Sequence, residues 1–268
     1  MSLKAKNENL QTHSLTDTSL DFEKRYRELL GKVTMAGDTE VGPQSEKIEF
    51  LNQLSEFEYG RFLMLNSGLN GRWSHYLFYE FDKLKNSGHK FHPLEWQILN
   101  TQNVKSNRER IPLLQSLISP ELFDGIKILS VPCGVMADLI TLDYSKIKKF
   151  ELLGIDLDTE SIELARQFAA QFGREKQCSF SIRDAWNLSF ESEFDCVVSI
   201  GLNMYSPDLE RAMNLYRSLY KNVKKGGKLF ISFLTPDLSS PNSERDRSLA
   251  QPEELQRLRI MSEVLNIK

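Results

Sequence analysis

Apolar residues recur every three or four positions through most of the first 120 residues, then gather into short unbroken runs. Between Leu20 and Met35, Phe22, Tyr26, Leu29 and Leu30 share one helical face, and Gly31 weakens the end of the predicted helix. Gly37 to Gln44, with Gly42-Pro43 inside it, reads as a linker. Ile48, Leu51, Leu54, Phe57 and Phe62 keep close to a 3.6-residue period, which predicts one amphipathic helix from Ser45 to about Leu65. A glycine-rich break, Asn66 to Arg72, leads into Trp73, Tyr76, Phe78, Tyr79 and Phe81, predicted as another helix. Pro93 at a helix start predicts a short helix carrying Leu94, Trp96 and Leu99. Asn107 to Ile118 is a further one, closed by Ser119-Pro120.

The pattern changes near residue 125. Ile126–Val131, Phe150–Ile155, Cys178–Ile182, Phe194–Ile200 and Lys228–Phe233 read as strands, with helices predicted over 161–172 and 209–223 between them. That alternation predicts an α/β fold: a doubly wound, mainly parallel sheet with helices on both faces, preceded by a helical N-terminal region. Thr235 to Ala250 reads as a long loop. Gln251 to Asn266 reads as a helix with Leu255, Leu258, Met261 and Leu265 on one face, so no strand is expected after about residue 235. The chain accordingly divides into a tail over 1–20, expected to be disordered, a helical region over 21–104 and a sheet domain over 105–268.

Composition narrows the partners. Of 268 residues, 34 are Lys or Arg and 37 Asp or Glu, giving a net charge of −3. Gripping a nucleic-acid backbone needs clustered basic side chains, so nucleic acid is disfavoured as a partner. The three cysteines lie in or beside predicted buried strands, as reduced cysteines do. Residues 1–20 hold no apolar leader, and no run approaches the ~18 apolar residues needed to cross a bilayer, so the expectation is a cytoplasmic chain without a membrane span. His89-Lys-Phe-His92 has the spacing of a metal motif, but all four histidines precede residue 93 and no metal site is predicted.

In an open parallel sheet, ligands bind beyond the carboxyl ends of the strands where the strand order reverses. The first strand is followed by Ser130-Val-Pro-Cys-Gly134, where a small residue lets the backbone approach a ligand. The second ends Gly154-Ile-Asp-Leu-Asp158, placing Asp156 to accept hydrogen bonds from ribose hydroxyls and Asp158 to cap the next helix. Arg183-Asp-Ala-Trp186 follows the third strand. Its acid beside an aromatic suits an adenine amine and ring, the alternative being an ordinary Asx turn.

Taken in order, Ile128 to Gly134, Gly154 to Asp158, Asp184-Ala185, Phe194 to Ser199 and Lys224 to Leu229 resemble the class I S-adenosylmethionine-dependent methyltransferases over about residues 105–235. The resemblance implies a Rossmann-like fold and the cofactor S-adenosyl-L-methionine, released as S-adenosyl-L-homocysteine. It implies cofactor contacts from Ser130, Val131, Pro132, Cys133, Gly134, Asp156, Leu157, Asp184, Ala185, Trp186 and Gly201, with Asp156 at the ribose and Asp184 at the adenine. In the first loop only Cys133 and Gly134 match the family pattern. Ser130 stands for its acid, Pro132 for its first glycine and Met136 for its third, so residue 130 offers no negative charge to the methionine amine. Ile200 to Tyr205 occupies the stretch that faces cofactor and acceptor, making Asn203 and Tyr205 the catalytic candidates. Arg72, Trp73 and Tyr76 are candidates for an acceptor pocket under a helical cap, weighed against an aromatic stripe that packs helix on sheet. Family members usually end in a β-hairpin on the sheet edge. Here that hairpin is expected to be missing, either because the sequence is a truncated form or because the fold ends in an atypical way. If truncated, the fifth strand would be left open to pair with another chain, for example in a homodimer, or the domain would be marginal.

A sulfonium is already activated, so methyl transfer asks for an acceptor held in line and water kept out rather than a catalytic triad. The sequence therefore reads as an enzyme that methylates a small or medium-sized acceptor by in-line displacement. A non-catalytic cofactor-binding protein is the alternative suggested by the altered first loop. A nicotinamide-dependent oxidoreductase shares the sheet but would need the G-x-G-x-x-G that the chain lacks.

Overall fold

A computed structural model of the chain describes residues 22–66, 68–202, 208–233 and 252–265. The helical N-terminal layer comprises α1 (Phe22–Ala36), α2 (Gln44–Ser55), α3 (Glu58–Asn66), α4 (Gly71–His75), a π-helical turn (Tyr76–Glu80), α5 (Phe81–Asn86) and α6 (Pro93–Leu99). The long α7 (Gln102–Ile118) leads into the sheet. Its strands and helices are β1 (Ile126–Ser130), α8 (Ala137–Ile140), β2 (Phe150–Asp156), α9 (Thr159–Gln171), β3 (Cys178–Ile182), β4 (Phe194–Ile200), α10 (Leu209–Lys221) and β5 (Val223–Ser232). A last helix, α11, spans Pro252–Leu265.

The five strands pair in parallel in the order β3-β2-β1-β4-β5, so strand order reverses between β1 and β4. Period-two alternation sorts their side chains. Ile126, Ile128, Leu152, Cys196 and Val198 pack on the face covered by α7, α8 and α9. Leu129, Ile155 and Val197 face α10 through Leu215 and Leu219. Burial on both faces explains why these strands read as unbroken apolar runs. β5 begins at Val223, earlier than the apolar run, and its register to β4 shifts between Phe194 and Cys196. Gly226 there takes φ +83°, and a Cβ on Gly227 would stand 2.6 Å from the Asp195 carbonyl oxygen.

The helix expected over 45–65 is two helices. α2 stops at Ser55 and α3 starts at Glu58, turning so tightly that a Cβ on Gly60 would lie 2.1 Å from the Leu54 carbonyl oxygen. The apolar period continues through the break because both pieces line one core, formed by Leu29, Leu51, Leu54, Met64, Leu77 and Leu99. α11 joins that same core through Ile260, Val264 and Leu265. It thus packs with the helical layer rather than with the sheet domain to which a division at residue 105 assigns it. Lys47, 1 % exposed, fixes this return: its Nζ donates to Gly37 O, Thr39 Oγ1 and Glu263 Oε1 on α11, each at 3.0 Å. A buried ammonium persists only with such partners. Among the described residues no strand follows β5, and residues 234–251, expected as a loop, lie outside them, as does the expected tail over 1–20.

Candidate functional site

A cavity of about 680 Å³ opens at the carboxyl ends of β1, β2 and β4, between the sheet and the helical layer. It lies where the strand order reverses, the place a doubly wound sheet reserves for a ligand. The loop after β1 forms its floor from Ser130 to Asp138. The sheet ladder runs on into this loop, with Val131 N donating to Val198 O and Cys133 N to Ile155 O, both at 2.9 Å. Gly134 has φ +51° and Met136 φ +58°. Met136 therefore keeps a left-handed backbone that glycine adopts freely and other residues adopt at a cost of about 1–2 kcal/mol. Its side chain is buried in the core under the loop, so the loop holds its shape without the third glycine.

Asp156 ties this loop to the end of β2. Its Oδ2 accepts from Gly134 N at 2.8 Å and its Oδ1 from Asp158 N at 3.0 Å. Burial pushes its carboxyl pKa up, and the backbone N–H groups oppose that shift. The two carboxylate oxygens offer four acceptor sites between them, so capacity remains for a ligand hydroxyl. Asp158 caps α9, accepting from Ser161 N at 3.2 Å and from the Ser161 hydroxyl. Leu157 also borders the cavity.

Asp184 does not line the cavity, whereas Arg183, Ala185 and Trp186 do. Its Oδ1 accepts from Trp186 N at 2.9 Å, an Asx turn that directs the carboxylate to its own backbone and presents the indole instead. The Arg211 guanidinium sits 5.0 Å from the indole centroid. After β4, Ile200, Gly201 and Leu202 border the cavity, with Gly201 at φ +75° and its N–H donating to Ser232 Oγ at 3.1 Å. Asn203 and Tyr205 lie outside the described residues.

The acceptor-pocket candidates sit elsewhere. Arg72, Trp73 and Tyr76 border a separate cavity of about 410 Å³ and not the one at the strand ends. Trp73, 5 % exposed, packs against Tyr59, Phe62 and Tyr76. Tyr76 donates to Glu95 Oε1 at 2.8 Å, and Arg72 bridges Glu58 at 2.7 Å and Glu160 at 3.1 Å. A helix turns about 100° per residue, so α4 and the π-helical turn face the large cavity with Gly71, Ser74 and Phe78 instead.

Sequence reasoning passed over that contact. A Cβ on Gly71 would lie 2.7 Å from Gly134 Cα and 2.4 Å from Ser161 Oγ, so the helical layer meets the loop after β1 backbone to backbone. Gly71 N donates to Ser161 Oγ at 3.0 Å and Asn70 Nδ2 to Glu160 Oε2 at 3.0 Å. The Asn70-Gly71 pair was the available signal, but it also marks any ordinary turn. Arg110 on α7, Asp138 on α8 and Arg257 on α11 border the cavity as well, and no sequence pattern singles them out. Burial pushes the Asp138 carboxyl up to about 6, against the opposing pull of backbone N–H groups and of Arg110. Among the described residues there is no group of three or more metal-binding side chains, and no helix long and apolar enough to cross a membrane.

Residues 122–258 match a family model described as a methyltransferase domain. A solved structure from Bordetella parapertussis, described as a possible exported protein, is 32 % identical with a TM-score of 0.79, covering 96 % of this chain and 87 % of its own. Phosphoethanolamine N-methyltransferase of Triticum aestivum is 26 % identical over 149 residues, or 54 % of this chain. The match spans only 26 % of that curated relative's length. A Geobacter sulfurreducens SAM-dependent methyltransferase, solved with S-adenosyl-L-homocysteine, is 19 % identical over 46 % of this chain and 47 % of its own, with a TM-score of 0.38.

Proposed function

The chain belongs to the family of methyltransferase domains, and on that premise we propose that it binds S-adenosyl-L-methionine and methylates a small or medium-sized acceptor with an apolar part. One observation carries the reading: a cavity of about 680 Å³ at the reversal of strand order, with Asp156 and Trp186 on the sheet side and a helical layer opposite. That volume falls within the roughly 300–1,000 Å³ of ligand pockets.

The residues suit an adenosyl cofactor. Asp156 keeps acceptor sites for ribose hydroxyls after holding Gly134 and Asp158. The Trp186 indole offers a flat apolar surface to the adenine, and its Nε1 is buried without a partner among the described residues. Asp184 is assigned an indirect part, shaping the turn that sets Trp186. Ser130 to Gly134 present backbone to the remainder of the cofactor. When bound, the cofactor supplies a methyl group on a sulfonium, already electrophilic. The protein's tasks are then alignment and exclusion of water. Leu77, Phe78 and Met261 from the helical side would shield the cavity and favour an acceptor with apolar surface. Asn203 and Tyr205 remain the proposed polar contacts to that acceptor. A net charge of −3 favours a small molecule over nucleic acid.

A cofactor-binding protein without turnover is the second reading, favoured by Ser130, Pro132 and Met136 in the first loop. Thermal unfolding with S-adenosylmethionine, S-adenosylhomocysteine and NADH tests the cofactor. Ligand at ~100 times its Kd stabilises by about 2.7 kcal/mol, a shift of roughly 5–10 °C for a chain of this size. A shift with the adenosyl ligands alone supports the proposal, and an unmoved transition overturns it. Release of S-adenosylhomocysteine in an acceptor screen then separates turnover from binding.

A further inference from the structure

The cavity holds a carboxylate and a guanidinium that the surrounding fold leaves without a full set of partners. Its other acids each hold a neighbouring segment in place. Asp156 receives two backbone N–H groups, Asp158 caps α9, and Glu254 Oε1 accepts from Gln102 N at 2.7 Å. Asp138 differs. Half-buried in the first turn of α8, its carboxylate meets only the N–H groups of Leu139 and of its own residue. Across from it Arg110, half-buried on α7, makes no hydrogen bond or ion pair with any described residue. Its neighbour Arg108, by contrast, donates to Leu99 O at 2.7 Å and Leu77 O at 3.3 Å.

Packing brings the two charges to one wall. Just over a turn past Arg110, Gln115 Nε2 donates to the Asp138 carbonyl at 2.9 Å and to Thr141 Oγ1 at 2.8 Å, locking α7 against α8. Arg110 and Asp138 feel each other's charge but form no ion pair within 4.0 Å. Both therefore keep hydrogen-bonding capacity toward whatever fills the cavity. An opposite pair held apart at a cavity wall matches a zwitterion, with the carboxylate receiving an ammonium and the planar guanidinium forking onto a carboxylate. Ser130, buried and neutral, lines the same cavity.

We propose that Asp138 and Arg110 clamp the α-amino-acid end of the adenosyl cofactor, Asp138 taking its ammonium and Arg110 its carboxylate, so that the negative charge absent from residue 130 comes from α8. The proposal rests on the cofactor reading above.

The test compares calorimetric binding of S-adenosylhomocysteine and methylthioadenosine, which share adenosine and thioether while the second lacks the amino-acid end. The wild type is expected to prefer S-adenosylhomocysteine by at least about 30-fold. Asp138→Asn and Arg110→Met should each weaken it by about 10–100-fold, the range of a charged hydrogen bond, and leave methylthioadenosine within about 3-fold. Ser130→Asp in the Asp138→Asn background should restore much of the preference, and thermal unfolding of each variant reports folding separately. Parallel loss of both ligands, or no loss of either, would overturn the clamp. Equal affinity of the wild type for the two ligands would overturn it while leaving the cofactor reading intact, whereas binding of neither would remove the cofactor reading itself.

Discussion

Replacing Asp138 by Asn should stabilise the ligand-free protein, and only where the acid is ionised. Burial raises the Asp138 carboxyl from 3.8 to about 6, while the N–H groups of Leu139 and Asp138 and the charge of Arg110 pull the other way. The native state thus binds the proton more tightly than the unfolded chain. This group's stabilising contribution is complete below about pH 3.8, is lost as pH rises through about 6, and is absent above that. At about 1.4 kcal/mol per pKa unit, the shift sets an upper bound near 3 kcal/mol. The residue keeps some contact with cavity water, and Asn deprives Arg110 of its neighbouring charge, so about 1–2 kcal/mol is expected at pH 7.5. Asn preserves the side-chain shape and an acceptor for the backbone N–H groups. Thermal unfolding should show the variant about 3–8 °C more stable at pH 7.5, the gap narrowing below about pH 6 and closing toward pH 3.8. Comparing variant with wild type at each pH cancels other titrating groups, among them Asp156, whose carboxyl is also raised. Equal stability at pH 7.5, or a gap that does not change with pH, would refute the reasoning. A residue that weakens the empty protein yet tightens its ligand is what a binding site is expected to contain.

Three further outcomes are expected. Gly71→Ala brings a methyl to 2.7 Å from Gly134 Cα and 2.4 Å from a Ser161 hydroxyl already held by Asp158. It should cost about 1–3 kcal/mol in urea unfolding and weaken S-adenosylhomocysteine, and an unchanged midpoint would deny the close approach. Lys47→Met removes the buried cation from Gly37 O, Thr39 Oγ1 and Glu263. It should cost about 2–3 kcal/mol and speed hydrogen exchange in α11, and exchange as slow as wild type would show that α11 is held otherwise. Asp156→Asn cannot accept from both Gly134 N and Asp158 N without turning an amide N–H on one of them, a loss of about 1–3 kcal/mol. It should weaken S-adenosylhomocysteine and methylthioadenosine alike, because ribose is common to both. A selective effect would move Asp156 away from the ribose.

Much of the sheet was legible in the chain. Central strands buried on both faces must be largely apolar, so Ile126–Ser130, Phe150–Asp156 and Phe194–Ile200 stood out against amphipathic helices between them, while the half-exposed edge strand Cys178–Ile182 alternates with serine. Two cavity-lining residues followed from the same logic: Gly134 and Asp156 border the cavity at the ends of β1 and β2. Asp184 was a weaker inference, because residue type does not say whether an Asp turns to a ligand or back to its own backbone.

Amphipathic periodicity specifies that a helix has a buried face, and stops there. It could not report that the pattern from Ile48 to Phe62 bends between Ser55 and Glu58, since both halves face one core. Nor could it report that α11 returns to the N-terminal helices, a pairing made by Lys47 and Glu263 across most of the chain. Local hydrophobic order thus determined the elements, their sequence along the chain and the end of the sheet where a ligand would sit. Which side chains meet there was decided only by packing. Gly71 reaches Gly134, and Arg110 shares a wall with Asp138, through distances between segments remote in sequence, where burial and steric fit act and periodicity carries no information.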